Sequence, residues 1–374
     1  MRGQLTRSDE LRAIVDSFQP GIVHAIGYGS GVFIQQPVEA SAEGPEVVNR
    51  PLQPPDDCCS KSTSAPDDQP MIDLVLTVSD SIAFHEHMLE RYPDHYSALA
   101  RLCGPSFCTK LQRSERSGAG VYFNPLVESP VTTTDDTKRC KQKIKYGIVQ
   151  TEELLDDLTN WRWLYLAGRM QKPTVNVDGL EESDRIAVAQ RQNLDMALAA
   201  SLLMLGDDFD STMQTPRTYS LTTLFEQIAG LSYAGDPRMD VGGEDPNKVT
   251  KLVRSDGQER RFRDLYDQSM TNLQEMGLME VVVGTGSLSV AIDLDDDATR
   301  QHLWKSLPKR VNRGTCYGVG IENRQASAQY LSKCLVNIVR PAARRQSLKG
   351  VLTAGIVKSV QYAAAKFAKG AFRA

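Results

Sequence analysis

No stretch of this 374-residue chain approaches the roughly 18–20 consecutive apolar residues that a membrane-spanning helix needs, so nothing in it is expected to cross a bilayer. Cysteine is sparse and unpatterned. Cys58, Cys59, Cys103, Cys108, Cys140, Cys316 and Cys334 form neither a disulfide framework nor C-x-x-C pairs, which points to a reducing compartment. The gap between Cys103 and Cys108 resembles half of a zinc site, but no second pair or nearby histidine completes one. The first seventeen residues carry three arginines offset by Asp9, Glu10 and Asp16, so no targeting signal is legible there. The most informative absence is at the other end. After Glu322 there is no acidic residue, while ten basic ones follow, from Arg324 to Arg373. A net charge of −4 therefore hides a tail of +10 on a body of −14. Such a tail seeks an anionic partner, either a nucleic acid or a membrane surface.

What is present reads as an ordinary globular chain, 41% hydrophobic and 24% charged, long enough for two or three domains. The organising stretch is Ile22–Phe33, an apolar run that ends in the glycine-rich turn Gly29-Ser30-Gly31. With it goes Met71–Val78, a strand-length apolar run with one carboxylate, Asp73. A buried strand tolerates an aspartate only where something satisfies its charge, and a divalent cation does so. A Gly-Ser turn followed by a strand carboxylate is the arrangement of polymerase-type nucleotidyltransferases. Between the two runs, residues 36–70 are rich in Pro, Ser, Asp and Glu and are expected to form a disordered insertion. A helix is expected near His85–Arg91. His85, His87 and His95 invite a metal reading, but the first two diverge on a helix and Pro93 breaks the run before the third. Strands are expected at Gly118–Pro125 and Lys143–Val149, closing an α/β sheet domain over residues 1–150, with a polar insertion near Ser129–Lys141.

From Thr151 the pattern turns helical. Acceptors and negative charge open a helix at Thr151-Glu152-Glu153, and Leu154, Leu155, Leu158, Trp161 and Leu164 continue its apolar face until Pro173. Further helices are expected over Arg185–Leu205, Leu221–Ile228 and parts of Lys248–Met276. A strand pair follows at Met279–Val283 and Ser289–Ile292, joined by a hairpin turn at Gly284–Ser287. Helices followed by a strand pair suit a winged-helix-like domain over 151–320. The acidic run Asp293 and Asp295–Asp297 reads as a solvated loop. In the basic region 321–374, Val351–Arg373 has helical amphipathicity. Leu352, Ile356, Val360, Ala363 and Phe367 fall within an arc of roughly 80°, and Lys358, Lys366, Lys369 and Arg373 lie opposite.

Several blocks resemble one family. They include Gly27–Phe33, Met71-Ile72-Asp73, His95-Tyr96-Ser97, Gly120-Val121-Tyr122, Lys145-Tyr146-Gly147, Leu166–Pro173, Ala229–Tyr233, Gly235–Met239 and Ile338–Pro341 through Arg345-Gln346-Ser347. The chain resembles the mitochondrial translocator assembly and maintenance family, peripheral phosphatidate cytidylyltransferases of the inner membrane. The resemblance implies a nucleotidyltransferase domain, a helical winged-helix-like domain and a C-terminal membrane-touching helix. It implies CTP and phosphatidate as substrates, Mg²⁺ as cofactor, CDP-diacylglycerol and pyrophosphate as products, and the matrix side of the membrane as location, with no nucleic acid as partner. Gly29, Ser30 and Gly31 would cradle the triphosphate, and Asp73 would bind Mg²⁺. Such enzymes usually carry a second carboxylate two residues on, where this chain has Val75; Asp236 is the candidate replacement. Lys145, Arg169, Lys172 and Lys248 are the candidate phosphate-binding cations. Two other readings stay open on the residues themselves: a nucleotidyltransferase acting on RNA or a small acceptor, and a non-catalytic membrane-bound assembly factor.

Overall fold

The structure, a computed structural model, describes residues 6–18, 21–33, 70–113, 118–131, 142–177, 184–205, 216–240, 245–283, 288–312 and 323–354. Outside these lie nearly all of the expected insertion at 36–70, most of the polar insertion near 129–141, the hairpin turn at 284–287, and Lys358, Lys366, Lys369 and Arg373.

The first apolar run forms β1 (Ile22–Tyr28) and the second β2 (Ile72–Val78), paired antiparallel with Tyr28 opposite Asp73. β3 (Val121–Glu128) lies antiparallel to β4 (Lys143–Gln150), and β4 runs parallel to β2 with Lys145 opposite Asp73. A two-residue strand, β5 (Val175–Asn176), closes the other edge, giving the order β3-β4-β2-β1-β5. The two-residue period of a strand divides β2 between two cores. Ile72, Leu74, Leu76 and Val78 pack on one side with Leu11, Ile14, Val15, Phe84 and Met88. Those partners come from α1 (Arg7–Ser17) and α2 (Ser81–Arg91). Val75 packs on the other side, with Ile26, Val121 and Phe123, into the larger core that runs on through Trp161 and Trp163. Asp73 shares the parity of Val75, so it faces that second layer. Both runs read as nearly continuous hydrophobics because both faces of the sheet are covered.

α2 begins at Ser81, earlier than its sequence signal, because the Asp80 carboxylate accepts from the N–H groups of Ile82 and Ala83. α3 (Ala98–Arg113) is interrupted at Gly104, φ 78°, just before Pro105. The helix opening at Thr151 ends sooner than its periodicity suggests. α4 (Thr151–Asn160) stops at Trp161 and the short α5 (Leu166–Met170) follows. The buried Asp157 carboxylate explains the break. It accepts from the N–H groups of Trp163, Leu164, Tyr165, Leu166 and Ala167, satisfying the donors that a continuous helix would have bonded internally. Nor does Thr151 cap α4; its hydroxyl donates to the Val78 carbonyl.

α6 (Asp184–Leu205) is buried along most of its length at the centre of the helical half. β6 (Arg217–Ser220), unforeseen because it is polar, leads into α7 (Leu221–Gly230), a 3-10 turn at Leu231–Tyr233 and α8 (Pro237–Asp240). Next come α9 (Lys248–Arg254), α10 (Gln258–Glu275), β7 (Glu280–Val283) and β8 (Leu288–Ile292). These strands make a second sheet in the order β6-β8-β7. The acidic run is largely the solvent-exposed loop its composition suggests, leading into α11 (Asp297–Ser306), where Asp296 accepts from the Thr299 N–H. α12 (Lys309–Asn312) precedes α13 (Arg324–Ala354), which crosses back to the first sheet. There Gln346 accepts from the Ala119 N–H and donates to the Val121 carbonyl. No described helix is long and apolar enough to cross a membrane.

Candidate functional site

β1 delivers the chain into a tight turn in which the Gly29 carbonyl accepts from the N–H groups of Val32 and Phe33. Two glycines are required for different reasons. Gly29 has φ +81°, and a Cβ there would stand 3.4 Å from an Asp73 carboxylate oxygen. Gly31 lies so tightly on β2 that a Cβ would come within 2.1 Å of the Met71 carbonyl oxygen. The turn and the strand carboxylate, 44 positions apart in sequence, are therefore immediate neighbours.

Around them gather most of the expected cations. Lys145 Nζ is 3.1 Å from Asp73 Oδ1 and lies 4.8 Å from the centre of the Phe123 ring. The Arg169 guanidinium covers the Tyr28 ring at 4.4 Å. Tyr28 itself is neutral, its phenol pushed up to about 12 by burial. Lys172, only 4% exposed, donates to the Gly168 carbonyl at 2.6 Å and the Ser232 hydroxyl at 2.8 Å. Its ammonium is held well below the usual lysine range by burial and then by the charges of Arg169 and Lys248. Lys145 thus comes from the sheet, Arg169 from α5, Lys172 from just beyond it and Lys248 from the start of α9. Like charges assembled with so little carboxylate between them mark a place for an anion.

Asp236 is placed differently. It is buried in the turn before α8, and both its oxygens accept from Arg238, at Nε and Nη2, while its Oδ1 also accepts the Arg238 backbone N–H. The structure does not bring it into contact with Asp73. The histidines also separate: His85 bonds the Tyr96 hydroxyl and Gln112, and His95 bonds the Tyr146 hydroxyl. Burial lowers His85 to about 4 and keeps it neutral. Among the described residues, no three His, Cys, Asp or Glu side chains come together as metal ligands.

Sequence reasoning missed several members of this neighbourhood. Tyr28 and Tyr233 face cations, Tyr233 lying 5.2 Å from Lys172 Nζ. Both sit inside motif blocks, and that was their available signal. Arg261, on α10, lies 4.6 Å over the ring of Phe33 at the end of the glycine turn. Nothing in the charged run Gln258–Asp264 distinguishes it from Arg260 or Arg263.

Taken together, a mixed α/β fold and a glycine turn set beside a carboxylate and a cationic cluster define a protein built to handle phosphate groups. The comparison with known families makes that specific. Residues 11–369 match the family model described as "Phosphatidate cytidylyltransferase, mitochondrial". Curated proteins of that same name align with nearly all of the chain. The Drosophila melanogaster protein is 37% identical over 96% of this chain and 98% of its own length. The Mus musculus protein is 33% identical over 96% and 94%, and the Bos taurus protein is 34% identical over 96% and 93%. The chain belongs to the mitochondrial phosphatidate cytidylyltransferase family.

Proposed function

We propose that the cleft between the glycine turn, Asp73 and the cations of α5 and α9 is where the reaction naming the family takes place. The enzyme is a phosphatidate cytidylyltransferase: the phosphate of phosphatidate attacks the α-phosphorus of CTP, and CDP-diacylglycerol and pyrophosphate are released. The contact of Gly29 with Asp73 carries this reading, because it places a backbone cradle for a triphosphate directly against a carboxylate.

A phosphomonoester has a second pKa of about 6 and is already largely a dianion at neutral pH. No protein base is needed, which suits a site whose histidines are committed elsewhere. The barrier to overcome is repulsion between two anions, and fixed positive charge lowers it. Gly29, Ser30 and Gly31 offer close backbone approach and a hydroxyl to the triphosphate. Arg169, Lys172 and Lys248 neutralise phosphate oxygens from the helical side, and Lys145 does so from the sheet.

The residues present fit one Mg²⁺ better than two. Asp73 Oδ1 is buried and near Lys145 Nζ, yet it accepts no well-angled hydrogen bond, leaving it a lone pair for a cation. Mg²⁺ is commonly held by one or two carboxylates with substrate phosphates and water completing its shell. When bound, it would supply charge neutralisation on the phosphates. Asp236 serves in this reading to fix Arg238 rather than to hold a metal.

The protein acts as a peripheral enzyme on the matrix side of the inner membrane, over a nucleotidyltransferase domain at 1–150, a winged-helix-like domain at 151–320 and a basic C-terminal region at 321–374. Support for a lipid-facing C-terminus comes from α13. It contains no acidic residue, and among the described residues Leu348 and Leu352 stand exposed near its end.

Asp73→Asn tests the site. It keeps the side chain's shape and removes its charge, so the fold should survive while CTP-dependent transfer to phosphatidate falls by ~10²-fold or more, the usual cost of losing one electrostatic group in such a site. Retention of more than about a tenth of the activity would overturn the assignment.

A further inference from the structure

Arg261 stands apart from the other cations near the cleft. The expected ones come from the sheet, from α5 and its end, or from the first turn of α9. Arg261 projects from the N-terminal end of α10 onto Phe33, the residue that closes the glycine turn. Its guanidinium lies 4.6 Å above the Phe33 ring, and the Phe33 N–H bonds the carbonyl of Gly29. Gly29 in turn abuts Asp73.

Two features make this a built position rather than an accident of a long side chain. First, α10 is pinned. Five residues on from Arg261, the fully buried Tyr266 donates its hydroxyl to the Gln171 carbonyl at 3.0 Å, next to Lys172. One helix therefore touches both the end of the glycine turn, through Arg261, and the residue before Lys172, through Tyr266. Second, the charge is unanswered. The neighbouring arginines have carboxylates: Arg254 pairs with Glu226 and Arg260 approaches Asp264. Among the described residues, no carboxylate pairs with the half-buried Arg261. A guanidinium stacked on an aromatic face keeps its N–H fork free for a planar anion.

We infer that Arg261 binds the distal phosphates of the nucleoside triphosphate, clamping them from the helical side against the glycine turn. Those phosphates leave together as pyrophosphate, so the same contact holds the leaving group. Phe33 is its positioning residue, presenting the flat surface on which the guanidinium rests. This inference rests on the glycine turn being the triphosphate's seat.

The test compares three ligands on full-length protein by calorimetry: CTP, inorganic pyrophosphate and CMP. Arg261→Met keeps an unbranched apolar stem over Phe33 while removing the charge and the fork. It should weaken CTP and pyrophosphate binding about ten- to a hundredfold, the range for a lost charged hydrogen bond. CMP binding and the KM for a dispersed short-chain phosphatidate should stay unchanged. Arg261→Lys should recover part of the loss, and Phe33→Leu should give a smaller loss in the same two ligands. Unchanged CTP affinity in Arg261→Met overturns the inference, as does an equal loss for CMP. A raised KM for phosphatidate alone overturns it too, assigning the arginine to the acceptor. Gly29→Ala separates this from failure of the site reading. If that variant weakens CTP and Arg261→Met does not, only the arginine assignment falls; if neither does, the turn is not the seat.

Discussion

Lys172 carries the most unusual chemistry of any single residue in the cleft. It is buried, its hydrogen bonds go to a carbonyl and a hydroxyl, and its nearest charged influences are two more cations. Its ammonium is therefore easier to deprotonate than a solvated lysine. An arriving triphosphate reverses the balance, because negative charge nearby favours the protonated form. Binding should then draw a proton from solution, and CTP affinity should fall as pH rises through the interval between the free and bound values. The measurement is calorimetry of CTP binding in buffers of different ionisation heats, above about pH 7.5, where a terminal phosphate with a second pKa of about 6 is already deprotonated. The observed enthalpy should vary with buffer, and Lys172→Met should abolish that variation. Enthalpies independent of buffer throughout would mean that Lys172 does not change its protonation on binding. Asp157 makes a second point at this scale. Its identity as an aspartate in an apolar helix is plain in the sequence, but its five N–H partners depend on the chain turning back on itself at Trp161. No residue spacing announces that turn.

At the scale of elements, the parts easiest to foresee were those whose burial repeats locally. β1, β2, β4, α6 and α7 fall where their apolar patterns place them. The misses have physical causes. β6 is polar because it pairs with β8 through its backbone at residues such as Thr218 and Ser220. The long helix expected from Thr151 to Pro173 breaks because a buried carboxylate outcompetes local periodicity. The glycine turn was legible, but the division of labour within it was not. Gly29 needs its backbone conformation, whereas Gly31 needs the absence of a side chain. Gly31→Ala forces a Cβ into the Met71 carbonyl, so the turn must lift from β2. Overpacking of this kind costs about 1–3 kcal/mol, and the melting temperature should drop together with CTP binding. Gly29→Ala meets Asp73 only at ordinary contact distance and bears a conformational cost of about 1–2 kcal/mol. That cost should lower the melting temperature as well as CTP affinity. Paired thermal denaturation and calorimetry check both, and a Gly31→Ala protein as stable as the wild type would show that the turn is not seated on β2 as described.

Across the whole molecule, α13 ties the helical half to the first sheet and sets where the chain leaves it. Lys349 points inward and donates toward the Leu111 and Gln112 carbonyls at the end of α3, with burial lowering its ammonium to about 7. Near the end of the described helix the Ser97 hydroxyl donates to the Leu352 carbonyl. The segment that follows carries Lys358, Lys366, Lys369 and Arg373 with no acid among them. A solvated surface ordinarily mixes signs, so positive charge with no acid in the sequence beside it favours an anionic lipid surface. Each basic residue near such a surface contributes ~1 kcal/mol, so the four together should strengthen binding by roughly three orders of magnitude. Replacing all four by glutamate in the full-length chain should abolish co-sedimentation with cardiolipin-containing vesicles. The wild-type protein should lose binding steeply as salt rises through the range where screening becomes effective. Activity on vesicle-embedded phosphatidate should fall in the variant, while activity on a dispersed short-chain phosphatidate persists, because the cleft at Asp73 is untouched. If the fourfold variant still co-sediments at low salt, the membrane contact lies elsewhere on the protein. An equal loss of activity on both substrates would instead place those residues in the catalytic cycle.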